Sequence, residues 1–160
     1  MLKGMYSGSF DPVTIGHLDI IERGALIFEK FYIAVANTTK KQYLFSKEER
    51  QEMIKAITKH LKNVEVVVCE ELLVDFAKKH GIKYILRGLR AVTDFEYELQ
   101  MADTNKVLNP QIETIFLMAD TKYSYLSSSI VKEVASYNGD ISSFVSPLIE
   151  KKIKNKFSVK

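Results

Sequence analysis

Cysteine is almost missing from this 160-residue chain. Cys69 stands alone, which excludes an intrachain disulfide and any thiolate cluster around a metal. Its neighbours Val66, Val67 and Val68 mark it as a buried, inert thiol. Long apolar runs are missing too: nothing approaches the roughly 20 residues that span a bilayer. Met1-Leu2-Lys3 leads directly into a strand pattern without a signal-peptide core, so a cytoplasmic location and no membrane partner are expected. Charge of one sign is not in excess. The 23 Lys and Arg against 20 Asp and Glu leave a formal +3, too little to imply a nucleic-acid partner, and no aromatic-basic stripe is present. There are only three histidines. His60 and His80 each fall near a helix end, where histidine is commonplace, so a three-histidine metal site is not expected.

What is present is ordinary globular material, 46% apolar and 27% charged. That composition and length suit one domain over residues 1–160 with a real core. Short, nearly continuous apolar runs predict strands at 3–6, 31–36, 64–68, 84–86 and 114–118. Amphipathic patterns predict helices at 17–28, 47–61, 72–80, 94–107, 129–137 and 147–156. Ser46-Lys47-Glu48-Glu49 is a capping box, and Ser146-Pro147 sets an N-cap before a first-turn proline. The lysines at 151, 152, 154 and 156 read as the solvated last turn of a helix. Strict β/α alternation predicts an α/β, doubly wound, Rossmann-like open parallel sheet with flanking helices.

In such sheets ligands sit beyond the carboxyl ends of the strands. Segments 7–17, 37–41, 87–90 and 120–129 each follow a predicted strand, and their shared chemistry is cationic and hydroxylic, as a polyphosphate requires. In Ser7-Gly8-Ser9-Phe10-Asp11-Pro12-Val13-Thr14-Ile15-Gly16-His17, the glycines permit close approach or positive φ. Thr14 is placed to cap a helix, and His17 falls in its first turn, where the dipole favours an anion. Arg87-Gly88-Leu89-Arg90 offers two guanidinium forks; the plainer alternative pairs those arginines with Asp94, Glu96 or Glu98. Lys40-Lys41 is a basic pair in a polar loop. Tyr123-Ser124-Tyr125-Leu126-Ser127-Ser128-Ser129 opens a helix with more hydroxyls than one cap needs. Glu98 is placed to reach a ribose or adenine.

Missing motifs narrow the chemistry. There is no Gly-x-x-x-x-Gly-Lys-Ser/Thr loop, no Gly-x-Gly-x-x-Gly fingerprint and no Gly-x-Ser-x-Gly elbow. Cations without an evident protein nucleophile favour direct phosphoryl-type transfer between two bound substrates.

Ser9-Phe10-Asp11-Pro12 with Thr14-Ile15-Gly16-His17 resembles the signature of the nucleotidyltransferase superfamily. Arg87-Gly88-Leu89-Arg90, Asp94-Phe95-Glu96-Tyr97-Glu98 and Ser127-Ser128-Ser129-Ile130-Val131-Lys132-Glu133-Val134 narrow the resemblance to the phosphopantetheine adenylyltransferases. It covers nearly the whole chain and weakens after Pro147. The resemblance implies transfer of AMP from ATP to 4′-phosphopantetheine, giving dephospho-coenzyme A and pyrophosphate, with Mg²⁺ carried by ATP. It implies catalytic roles for His17, Lys41 and Arg90. For phosphopantetheine it implies Ser9, Arg87, a lysine of the Lys40-Lys41 pair (Lys41 by counting back from Phe45) and Leu73, with Leu72 beside it. For ATP it implies Ser9, Phe10, His17, Gly88, Leu89, Arg90, Glu98 and the run Tyr123, Ser124, Tyr125, Leu126, Ser127, Ser128, Ser129. It further implies a homo-hexamer and feedback by coenzyme A. The chain departs from the pattern at Ser9, often threonine, at Ser136, arginine in some members, and in the loop 39–43, which lacks a common proline. Transfer to a different phosphorylated acceptor, or a nucleotide sensor without turnover, are the competing readings.

Overall fold

The computed structural model describes residues 1–38 and 41–158; Lys40, one of the two candidate lysines, lies outside them. Five strands, β1 (Lys3–Gly8), β2 (Lys30–Ala36), β3 (Val64–Cys69), β4 (Tyr84–Leu89) and β5 (Glu113–Met118), alternate with α1 (Ile15–Ile27), α2 (Lys47–Ile57), α3 (Leu73–His80) and α4 (Val92–Leu108). A single 3₁₀ turn (Thr121–Tyr123), α5 (Ser128–Ser136) and α6 (Pro147–Ser158) follow. All strand pairs are parallel, in the order β3-β2-β1-β4-β5. The chain therefore builds outward from β1 in one direction, then returns to place β4 on the other side of β1. The order reverses between β1 and β4, where a doubly wound sheet opens its ligand crevice.

Successive strand residues face opposite sides, and both sides are apolar. Phe31, Ile33 and Val35 of β2 join Tyr6 and Leu86 under α1, α2, α5 and α6. Tyr32 and Ala34 join Met5 and Ile85 under α3. Each Val, Leu, Ile, Phe or Met among them contributes about 1.5–3 kcal/mol when fully buried, and burial on both faces explains why the sequence shows continuous apolar runs rather than alternation. The α1 helix lies very close to the sheet at Gly24: a Cβ there would come within 2.5 Å of the Phe31 ring and 2.9 Å of Leu86. By contrast α4 buries only Asn105 and leaves Val92, Tyr97, Val107 and Leu108 largely exposed.

Two expectations change. The Arg87-Gly88-Leu89 stretch reads as loop but lies inside β4, with Arg87 opposite Phe116, Gly88 opposite Leu117 and Leu89 opposite Met118. Ser7 and Gly8 likewise belong to β1. The second helix stops at Ile57 rather than 61: Thr58, its C-cap, makes the last ladder bond to the Ile54 carbonyl, and the chain then turns, with the Leu61 N–H donating to the Thr58 carbonyl at 2.9 Å. No helix of the described residues is long and apolar enough to cross a membrane.

Candidate active site

The loop from β1 to α1 ends in a capping box with histidine in the place usual for Glu or Gln. Thr14 is the N-cap, and its hydroxyl accepts from the His17 N–H at 3.3 Å. In return the Thr14 backbone N–H donates to His17 Nδ1 at 3.0 Å. Nδ1 is thus an acceptor, so the neutral ring carries its proton on Nε2. Burial, followed by the cationic Arg90 and Arg87, lowers the His17 pKa to about 4. At neutral pH His17 is an uncharged N–H donor at a helix N-terminus, held edge-on to Phe10 with ring centroids 5.1 Å apart.

Positive φ in this loop falls on Phe10 (φ 47°), not on Gly8 or Gly16. The Asp11–Pro12 peptide is cis. The Phe10 side chain is buried between Tyr6 and His17, so it supports the site from beneath. Asp11, 2% exposed, accepts the Leu44 and Phe45 backbone N–H groups at 2.9 Å each and the Lys132 ammonium at 3.1 Å. It joins the β1–α1 loop to the start of α2 and to α5. The Ser128 hydroxyl reinforces this by donating to the Pro12 carbonyl at 2.7 Å.

On β4, Arg87 meets Glu98 of α4 as a two-pronged pair (2.6 and 2.5 Å) and also donates to the Ser7 carbonyl and hydroxyl at 2.5 and 3.1 Å. Burial works against its charge, but the Glu98 contact outweighs it and raises the Arg87 pKa. Arg90 pairs with Asp94 (3.0 and 3.1 Å) and donates to the Leu126 carbonyl at 2.8 Å. The arginines thus have the acidic partners of the plainer reading and still border open space. Glu98, expected at a ribose, is engaged by Arg87. Burial pushes the nearby Tyr6 phenol up to about 12, so it stays protonated.

Two cavities adjoin here and share Ser7, Gly8, Arg87 and Glu98. The first, about 250 Å³, is bordered by His17, Gly16, Gly88, Arg90, Tyr123, Leu126, Ser127 and Ser128. Within it Ser127 caps α5 by accepting from the Ile130 N–H at 3.2 Å. The second, about 720 Å³, runs between Ser9, Asn37 and Lys41 at one end and Leu73, Ile85, Met101 and Asn105 along its walls. Lys41 Nζ reaches the Ser9 hydroxyl at 3.5 Å. Among the described residues no group of three His, Cys, Asp or Glu could hold a metal ion.

Of the residues singled out for ATP, His17, Gly88, Arg90, Glu98, Tyr123, Leu126, Ser127 and Ser128 border the first cavity, while Ser9 borders the second. Phe10 and Leu89 are buried beneath. Ser124 bonds its own turn, and neither Tyr125, edge-on to Phe144, nor Ser129 lines either space. Of those singled out for the acceptor, Ser9, Lys41, Leu73 and Arg87 all border the second cavity; Leu72 is 61% exposed and does not. Gly88 borders the first cavity as expected, and a Cβ there would also press on Ile20 of α1 at 3.2 Å. Sequence reasoning passed over Asp11 as an anchor and Arg50 altogether. Arg50 falls three and four residues before the buried Met53 and Ile54, a spacing that puts it on the core face.

A family model described as cytidylyltransferase-like matches residues 5–134. Among solved structures, Plasmodium falciparum nicotinic acid mononucleotide adenylyltransferase complexed with NaAD superposes with a TM-score of 0.74 at 15% identity, over 99% of this chain and 98% of that one. The same protein complexed with APC gives 0.71 at 15% identity and the same coverage. A Vibrio parahaemolyticus protein described as a nicotinate-nucleotide adenylyltransferase gives 0.73 at 15% identity, over 97% of this chain and 93% of that one. At such identity the likeness is one of fold.

Proposed function

The chain belongs to the cytidylyltransferase-like family, and we propose that within it this protein transfers the adenylyl group of ATP reversibly to 4′-phosphopantetheine, yielding dephospho-coenzyme A and pyrophosphate. The observation that carries this reading is the pair of adjoining cavities with a shared wall at Ser7, Gly8, Arg87 and Glu98. Direct transfer needs two substrates held end to end, and two spaces that share a wall support that reading. The first cavity, with Arg90 and the α5 N-terminus, takes ATP. The second has Lys41 and Arg87 for a phosphate and the aliphatic Leu73, Ile85 and Met101 for a flexible arm.

In this reading a phosphate oxygen of the acceptor, already an anion, attacks the α-phosphorus. The bond to the β-phosphate oxygen breaks and pyrophosphate leaves. No proton need be removed, which suits a site whose histidine is held neutral. His17 Nε2–H donates to an α-phosphate oxygen as charge builds there, and loss of such a preorganised donor costs about 10²–10³ in turnover. Lys41 and Arg90 act alongside it, on the acceptor phosphate and the triphosphate respectively. Magnesium enters on ATP, as part of the substrate.

The exposed apolar residues of α4 favour burial against further copies of the chain, and we extend the proposal to a homo-hexamer. Coenzyme A, which contains the phosphopantetheine arm, would compete for the second cavity.

The structural neighbours favour one specific alternative acceptor, nicotinate mononucleotide. Incubating the protein with ATP or CTP and either acceptor, and weighing the products by mass spectrometry, separates the readings. Dephospho-coenzyme A from ATP and phosphopantetheine, with no cytidylyl adduct from CTP, supports the proposal; nicotinate adenine dinucleotide instead would replace it.

A further inference from the structure

Arg50 is 0% exposed, and no carboxylate of the described residues lies within ion-pair distance of it. Its guanidinium instead reaches five neutral acceptors. Nη1 donates to the Ser9 and Ala36 carbonyls (2.7 and 2.9 Å) and Nη2 to Asn37 Oδ1 (2.7 Å). Nε is shared by the Phe45 and Ser46 carbonyls (3.2 and 3.3 Å). The ring of Tyr43 covers one face at 4.0 Å. Burying a cation without a counter-charge is costly, and packing α2 on the sheet does not require it, since Met53 and Ile54 already do that.

Three of the five acceptors belong to Ser9, Ala36 and Asn37, which border the second cavity. Arg50 therefore joins the ends of β1 and β2 to the start of α2, around the point where Lys41 meets Ser9. The acidic residues of that cavity have cationic partners of their own, Glu70 with Lys47, Glu71 with Lys79 and Glu98 with Arg87, and Glu70 also accepts from the Asn37 amide at 3.3 Å. Lys41 and the buried Arg50 are left as cations there without an acidic partner among the described residues.

We infer that Arg50 is a positioning residue for the acceptor's anionic end: it fixes the Ser9 and Asn37 wall and places an uncompensated positive charge behind it. This rests on the proposed reading of the second cavity as the acceptor site. A lysine at position 50 keeps the charge but cannot reach acceptors from three segments at once.

The test is calorimetric titration of phosphopantetheine and, separately, ATP into wild type, Arg50→Lys, Tyr43→Leu and Tyr43→Phe. Tyr43 stacks on Arg50, but its hydroxyl also accepts from the N–H of Thr38 in the cavity wall at 3.1 Å, so Tyr43→Leu is read against Tyr43→Phe, which keeps the ring and removes the hydroxyl. In Arg50→Lys the phosphopantetheine Kd should weaken about tenfold or more, with ATP changed by less than about twofold. Tyr43→Leu should give a smaller loss on the same side, and decides the matter if Arg50→Lys does not fold. Equal weakening of both ligands, the mark of a merely structural arginine, or no weakening of either overturns the inference. If wild type binds no phosphopantetheine, the proposed function fails on that result alone. The inference is then judged by ³¹P line broadening of inorganic phosphate, for which the same selective loss is required.

Discussion

Acidification should destabilise this protein through His17 in particular. Its folded pKa is about 4 against an ordinary 6.5, so between those values the unfolded chain binds the extra proton and stability falls as pH drops. The cause is geometric as well as electrostatic. Protonation would put an N–H on Nδ1, facing the Thr14 N–H that already donates there. The linkage relation gives a loss of about 2 kcal/mol between pH 7.5 and pH 5. Because the ring borders an open cavity, water offsets part of this, and about 1–2 kcal/mol is expected. Urea denaturation of wild type and His17→Gln at both pH values isolates the effect. Glutamine at that position keeps the capping box but does not titrate, so other groups cancel in the difference. Wild type should lose the stated amount relative to His17→Gln. Parallel losses, or a ring that titrates near 6.5 by NMR, would refute the neutral-donor assignment.

Asp11→Ala removes the acceptor of two backbone N–H groups and of Lys132; it should cost about 2–4 kcal/mol in urea unfolding, and a loss below about 1 kcal/mol would contradict the anchoring role. Gly24→Ala sets a helix-propensity gain of up to about 1 kcal/mol against a clash with Phe31 and Leu86 costing about 1–3, so a lower Tm is expected and an unchanged or higher one would show that α1 can shift outward. Arg87→Ala should weaken phosphopantetheine binding about ten- to a hundredfold by calorimetry; unchanged binding would remove Arg87 from the acceptor site.

The β/α order was legible because the inner strands β1, β2 and β4 are buried on both faces and helices such as α1 and α2 on one, so composition and period agree there. The capping residues Thr14 and Ser46 were legible for a local reason, their partners being three residues away. What stayed hidden depends on distant segments. The composition of Arg87-Gly88-Leu89 says loop, and only pairing with Phe116, Leu117 and Met118 makes it strand. Arg50 sits in Glu48-Glu49-Arg50-Gln51-Glu52, which reads as a solvated face. Its acceptor at Ser9 lies 41 residues away. Asp11 looks like a turn residue until Lys132, 121 residues on, is folded against it. Positive φ, one of the two uses open to Gly8 and Gly16, is taken instead by the buried Phe10, packed between Tyr6 and His17.

The most direct test of direct transfer across two adjoining cavities is pyrophosphate release from magnesium ATP, with and without 4′-phosphopantetheine. The account predicts release only when both are present, in step with dephospho-coenzyme A. Release from ATP without an acceptor, or release that answers to nicotinate mononucleotide and not to phosphopantetheine, would contradict it.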